Sequence, residues 1–206
     1  MYESVWDEAV AEAEVTNRLR DLDEGKRIAF ASACAYHILH FAMKLFGLAD
    51  HPQLSDLEDV LDRASTGYAT GGIGRRKASE LIAEVESMYP ATPDDMEEED
   101  TVEIDQDLLG WFDLTEAVIL VCRCGEGMDA VEAARGVSYQ AYNAVFKWFC
   151  LRNYDVLGGR EIYEAEKKTS ECLDELSFQL ACLRAIESLP EAFPSYTAIL
   201  KWTQEN

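Results

Sequence analysis

The chain has 206 residues, of which 48% are hydrophobic, and this composition excludes an intrinsically disordered protein. Forty acidic and 18 basic residues give a net charge of −22, which disfavours nucleic acid and anionic membranes and favours basic partners. The first residues lack a basic segment followed by an apolar one, so we expect no secretory signal. These features predict a cytoplasmic protein that binds neither nucleic acid nor membrane.

The first two helices are predicted from the spacing of their apolar residues. Residues 2–22 form an acidic helix with a sparse apolar side. Residues 26–47 are apolar over most of the helical circumference, which is typical of a helix buried in a core. The polar stripe of this second helix is narrow and consists of Tyr36, His37, His40 and Lys44.

A glycine-rich segment follows the third predicted helix. Ser55 and Glu58 form a capping box, which predicts a helix running to about Ser65. Residues 66–77 then combine four glycines with three consecutive basic residues at the start of a further helix, a pattern that could hold a phosphate. Their spacing matches neither the Walker A nor the dinucleotide motif, so a flexible loop between helices is the alternative interpretation.

Residues 90–107 contain nine acidic residues and no basic one. We expect a solvated segment that joins two halves of a helical array, and its charge also suits a docking surface for a basic protein. Two aromatic residues follow it and could serve as anchors in an interface. The candidate partner-binding residues are Asp94, Asp95, Glu97, Glu98, Glu99, Asp100, Trp111 and Phe112.

The C-terminal half is also predicted to be helical. A capping pattern at residues 113–116 predicts the start of one helix, and Asp129 caps the next, in which Gly136 allows a close helix crossing. A long helix is predicted over residues 160–188 and a short one over 196–202. The whole chain is therefore predicted to be all-α: a single domain, formed by a helical bundle or irregular helical array of about six to eight helices.

No motif for catalysis or metal binding is evident. His37 and His40 lie three residues apart without a nearby acidic ligand, and a His-Glu-x-x-His motif is absent. The cysteines lie mostly in apolar helical patterns, so we expect reduced core residues. They are Cys34, Cys122, Cys124, Cys150, Cys172 and Cys182. We expect no catalytic residue, no cofactor and no metal.

The buried helix carries a family resemblance. Residues 30–39, FASACAYHIL, resemble the Phe-Ala-x-x-Cys-Ala-x-x-Leu helix of the YjaG-like family, a group of bacterial helical proteins of unknown function. The similarity extends over residues 19–150, through the acidic segment and the helical patterns at 113–124 and 128–145. This resemblance implies an all-α fold and supplies no catalytic residues.

Charge and fold class together predict a binding protein and not an enzyme. We expect an immunity or antitoxin-like inhibitor that neutralises a basic toxin or effector domain by occlusion and charge complementarity, by analogy with other small acidic helical proteins. One alternative is a helical enzyme or phosphate-ligand-binding protein that uses residues 66–77. Another is an acidic homo-oligomeric helical scaffold, such as a homodimer.

Overall fold

The computed structural model describes five stretches of the chain, residues 5–7, 15–47, 53–88, 106–150 and 159–205. These residues form nine α-helices and no β-strand. In chain order the helices are α1 (Val15–Asp21), α2 (Glu24–Phe46), α3 (Gln53–Ala69), α4 (Arg75–Glu86), α5 (Gln106–Arg123), α6 (Ala130–Val145), α7 (Gly159–Glu166), α8 (Ser170–Ser188) and α9 (Tyr196–Glu205). A 3-10 turn (Cys124–Glu126) follows α5, and a π-helical turn (Phe146–Cys150) follows α6.

The all-α prediction is confirmed, and α2 is the buried helix that the sequence predicts. It packs against α3, α5, α6, α8 and α9. Its buried alanines, among them Ala31, Ala35 and Ala42, have no exposed surface, and their small side chains let the surrounding helices approach closely. Asp23 begins the helix by accepting a hydrogen bond from the backbone N–H of Lys26 (2.9 Å).

Helix α2 is also the one described helix that is long and apolar enough to cross a membrane by length and composition. The qualifying segment, Glu24–Leu45, is 67% buried inside the protein itself. Its apolar surface is therefore mostly covered by neighbouring helices, as expected for the core helix of a globular domain.

Helices α5 and α6 form the most extensive helix pair. The predicted cap of α6 is confirmed, because the Asp129 carboxylate accepts hydrogen bonds from the backbone N–H groups of Val131 (2.9 Å) and Glu132 (3.0 Å). The predicted close crossing at Gly136 is confirmed too. A Cβ atom there would lie 2.9 Å from Cδ1 of Leu120, so any larger residue would require the Leu120 side chain to move.

Two predicted helix starts are wrong, because the capping patterns lie inside longer helices. Helix α3 begins at Gln53, ahead of Ser55. Helix α5 begins at Gln106, so Asp113 lies within it. Asp113 instead pairs with Lys147, whose Nζ is 2.7 Å from Oδ2 of the carboxylate. Burial raises the pKa of Asp113, and the lysine offsets part of that rise.

The long helix predicted over residues 160–188 is divided into two helices. The described stretches therefore contain nine α-helices. Helix α7 ends at Glu166 and α8 begins at Ser170. Between them the Thr169 hydroxyl donates to the carbonyl of Ala165 (2.9 Å), a local bond that competes with helix continuation. The last helix extends beyond its predicted end to Glu205.

A polar network inside the core joins α2, α6 and α8. Glu175 is 2% exposed, and its Oε2 lies 2.8 Å from Nδ1 of His37. Its Oε1 accepts a hydrogen bond from Nε2 of Gln179 (2.7 Å), which also donates to the carbonyl of Ser138 (2.9 Å). Polar networks of this kind favour one arrangement of the helices that contribute to them, although Oε1 of Gln179 has no partner among the described residues.

We predict that Ala35→Leu lowers the free energy of unfolding by about 1–3 kcal/mol, because added methylenes do not fit a filled core. Ala83→Leu, at an exposed position of α4, should change stability by no more than about 0.5 kcal/mol. Urea unfolding of both variants measures the difference. Equal stability of the two variants would contradict close packing around α2.

Candidate functional site

The candidate site is a groove of about 370 Å³ between α2, α3 and the segment that leads into α9. Helix α2 provides Tyr36 and His40, one turn apart, and α3 provides Glu58 and Asp62 at the same spacing. We call this cavity the α3 groove and define it by Ser32, Tyr36, His40, Glu58, Asp62 and Tyr196.

Two side-chain contacts cross the groove from α2 to α3. The Tyr36 hydroxyl donates a hydrogen bond to Oδ1 of Asp62. Nε2 of His40 lies 2.8 Å from Oε1 of Glu58. Within the described part of the chain, the second oxygen of each carboxylate makes no further hydrogen bond, so both remain able to accept from a ligand.

Aromatic rings also line the groove. The ring of Tyr196 stacks on that of Tyr36, with centroids 5.1 Å apart and planes inclined by 17°. The centroid of the Tyr196 ring also lies 5.5 Å from that of the His40 ring. Carboxylates facing aromatic rings are the surroundings that suit a cation, especially a planar guanidinium.

A buried hydroxyl also lines the groove. Ser32 is 3% exposed, and its Oγ has no hydrogen-bond partner among the described residues. An unpaired buried hydroxyl costs about 1–3 kcal/mol, so a hydrogen-bonding group that reaches it would recover part of that cost. Ser32 makes no hydrogen bond to His40, so the two do not form a nucleophile and base pair in this conformation.

The phenols of the groove stay protonated at physiological pH. Burial raises the pKa of Tyr36 well above its usual value, and the hydrogen bond to Asp62 raises it further. Burial likewise raises the pKa of Tyr196. The Tyr36 hydroxyl is therefore a steady donor to Asp62, and negative charge in the groove comes from the two carboxylates.

The acidic surface continues along α3 beyond the groove. Asp56, Asp59 and Asp62 line a second hollow of about 390 Å³ together with Arg63 and Glu84. Arg63 Nη2 lies 2.5 Å from Oε1 of Glu84, so that pair is neutral as a whole. Because Asp62 lines both cavities, the groove and this hollow form one continuous negative surface.

The residues predicted from sequence as partner-binding have a different setting. The six acids among residues 94–100 lie outside the described residues. Trp111 is 6% exposed, and its Nε1 donates to the carbonyl of Met88 at 3.4 Å, so its ring packs in the core. Phe112 is partly exposed. The role of these residues in partner binding stays a prediction.

The glycines of residues 66–77 have a structural role. Gly71 and Gly72 have positive φ angles of 124° and 102°, and the N–H of Gly72 donates to the carbonyl of Gly67 (2.9 Å), which ends α3. Nη2 of Arg75 donates to the carbonyl of Glu126 (3.2 Å). These contacts give Gly71 and Gly72 a structural role, and phosphate binding by residues 66–77 stays a prediction.

The cysteine prediction is confirmed in that all six side chains are buried and unpaired by disulfides. Burial raises the pKa of Cys122 and of Cys124 to about 12, which keeps both thiols protonated and unreactive. In the described stretches no group of three or more histidine, cysteine or acidic side chains is placed to hold a metal ion.

Sequence reasoning missed the α3 groove, although one signal was available. Tyr36 and His40 repeat at the helical spacing of four on α2, and Glu58 and Asp62 repeat at the same spacing on α3. Two matched polar pairs on neighbouring helices indicate cross-helix contacts. No such signal pointed to Tyr196, which joins the groove from the far end of the chain.

No protein-family model matches the chain, and neither a curated protein nor a solved structure gives a significant match. The resemblance to the YjaG-like family therefore stays a prediction.

We predict that Tyr36→Phe lowers the free energy of unfolding at pH 7 by about 1–2 kcal/mol, since it removes a hydrogen bond to a carboxylate. The folded-state pKa of Tyr36 lies above its unfolded value of about 10, so its contribution is full below that pH and is lost above it. The difference between wild type and variant should therefore narrow as the pH rises above about 10.

Urea unfolding at neutral and alkaline pH measures this difference directly. Other tyrosines and thiols titrate in both proteins, so their effects cancel in the comparison. A difference that is the same at both pH values would contradict the proposed protonation of Tyr36.

Proposed function

We propose that this chain is a protein-binding module that neutralises a basic partner, as an immunity or antitoxin-like inhibitor does. The observation that carries the proposal is the α3 groove, which is lined by the carboxylates of Glu58 and Asp62 together with the stacked rings of Tyr36 and Tyr196. The groove suits the side chain of an arginine or lysine supplied by the partner.

In the proposed complex, an arginine of the partner enters the α3 groove. Its guanidinium donates to the second oxygens of Glu58 and Asp62 while its plane stacks against Tyr196. The bonds from Tyr36 and His40 already hold the two carboxylates in place, so little side-chain entropy is lost on binding. A contact of this type is worth about 2 kcal/mol or more at the centre of an interface.

The remaining acidic residues have a different role in this proposal. A net charge of −22 attracts a basic partner over long range and raises the association rate, an effect that salt weakens. Asp56 and Asp59 extend the negative surface next to the groove. The six acids within residues 94–100 remain candidates for the rim of the interface. Occlusion of a surface that binds phosphates, as in a nuclease, would follow from the same complementarity.

The scattered distribution of the exposed apolar side chains also favours an interface dominated by charge. The large apolar side chains with the most exposure in the described stretches are Leu45 (40%), Tyr139 (41%) and Leu173 (39%). They belong to three different helices, α2, α6 and α8. Obligate dimers bury much larger continuous apolar surfaces, so these features support a polar heteromeric contact over the homodimer alternative.

We predict that the double variant Glu58→Gln, Asp62→Asn weakens binding to the partner at least tenfold and lowers the association rate. Both substitutions remove charge and keep side-chain size, so the groove retains its shape. The partner is first captured from lysate and then purified, and binding is measured by surface kinetics at low and high salt.

The matched control is Glu164→Gln, Asp174→Asn, which removes the same charge from exposed positions of α7 and α8. It should leave the dissociation rate unchanged and lower the association rate only slightly. Thermal unfolding confirms that both double variants fold. Equal affinities of the two double variants would exclude the α3 groove as the binding site.

A further inference from the structure

A second cavity, of about 730 Å³, lies between residues 5–7, α1, α2 and α6. Its lining includes Arg20, Arg27 and Arg135, which are three of the 18 basic residues of a strongly acidic chain. We call it the arginine pocket. It shares no residue with the α3 groove, so the two cavities can be tested separately.

Arg27 is held firmly in this pocket. Its Nε donates to the carbonyl of Leu19 (2.8 Å), and its Nη2 donates to the carbonyl of Arg20 (2.8 Å), at the C-terminal end of α1. Neither bond uses Nη1. The guanidinium is therefore oriented in advance by the backbone, and this arrangement lowers the entropy cost of binding an anion.

The positive charges of the pocket are not neutralised by ion pairs. Arg20 donates to the Asn17 side-chain oxygen (3.2 Å), a neutral acceptor. Across the part of the chain that the structure describes, none of the three arginines lies within ion-pair distance of a carboxylate. Asp129 also lines the pocket, but its carboxylate caps α6.

Glu132 is the second acid of the lining, and it leaves a positive excess of one in the pocket. A bound anion would balance this positive excess. Phosphate is a good match, since arginine donates to it in a bidentate manner.

Aromatic rings line the pocket beside the arginines. The rings of Trp6 and Tyr139 pack edge to face, with centroids 5.1 Å apart and an angle of 70° between the ring planes. Trp6 is 3% exposed, and its indole N–H has no acceptor among the described residues. Tyr139 is 41% exposed, so its ring is available for stacking against a planar group.

We propose that the arginine pocket binds a small phosphorylated ligand with a planar ring, that is, a ligand of the nucleotide class. The phosphate would bind Arg20, Arg27 and Arg135, and the planar ring would stack on Tyr139. The cavity volume lies in the range of about 300–1,000 Å³ that is usual for small-molecule sites. The arginine pocket offers a phosphate three arginine side chains, whereas Gly71 and Gly72 of residues 66–77 serve to end α3.

The test is isothermal titration of the full chain with adenosine monophosphate, guanosine monophosphate, adenosine and inorganic phosphate. We expect one of the two nucleotides to bind with a Kd below about 1 mM. Adenosine should not bind, and inorganic phosphate should bind more weakly than the nucleotide. Arg135→Gln should weaken nucleotide binding at least tenfold, and Tyr139→Ala should weaken nucleotide binding more than phosphate binding.

Arg76→Gln is the matched control, because its side chain is 94% exposed on α4, outside the pocket. It should bind nucleotide as the wild type does. The proposal is overturned if neither nucleotide binds, if Arg135→Gln and Arg76→Gln bind equally, or if phosphate binds as tightly as the nucleotides. Thermal unfolding of each variant shows that a loss of binding is not a loss of fold.

Discussion

The burial of α2 on nearly all sides is the constraint on which the rest of the structure depends. Five other helices pack against it, and its alanines keep them close. Its few polar side chains must then find partners on those neighbours. His37 contacts Glu175 on α8. Tyr36 and His40 contact carboxylates of α3, and Lys44 is exposed. The bonds that satisfy the polar stripe of the core helix therefore also build the α3 groove.

Charge is distributed unevenly over this fold. The acidic residues of α3 gather around the groove, whereas three arginines line a separate cavity beside α1 and α6. A uniformly acidic surface would serve solubility and long-range attraction without marking a particular site. The separation supports the proposal of two different tasks, in which the negative groove would receive a cationic side chain from a partner and the positive pocket would receive an anion. Neither task requires the other, because the cavities share no residue.

Local sequence signals were sufficient for the fold class and for most helices. The periodicity of residues 26–47 predicts α2, and Asp129 predicts the start of α6, because both depend on neighbours within a few turns. The break near Thr169 was not predictable in this way. Glu166, at the end of α7, is fully buried and accepts a hydrogen bond from Tyr142 (3.0 Å) on α6, so a tertiary contact acts at this break together with the local bond of Thr169.

The site was less predictable than the fold for the same reason. Tyr196 reaches Tyr36 across 160 positions of sequence, and no local pattern records that contact. Acidity alone drew attention to residues 94–100, because a run of like charges is visible in sequence while a groove is not. Trp111 looked available next to that run, yet α5 begins before it and turns its ring into the core.

The most direct test of the α3 groove is an NMR titration with a short arginine-rich peptide and its citrulline analogue, which has the same shape without the charge. The account predicts that the arginine peptide shifts the resonances of Tyr36, His40, Glu58, Asp62 and Tyr196, and that the citrulline peptide leaves them unchanged. Shifts located elsewhere on the protein, or equal shifts with both peptides, would contradict the claim that this groove recognises a cationic side chain.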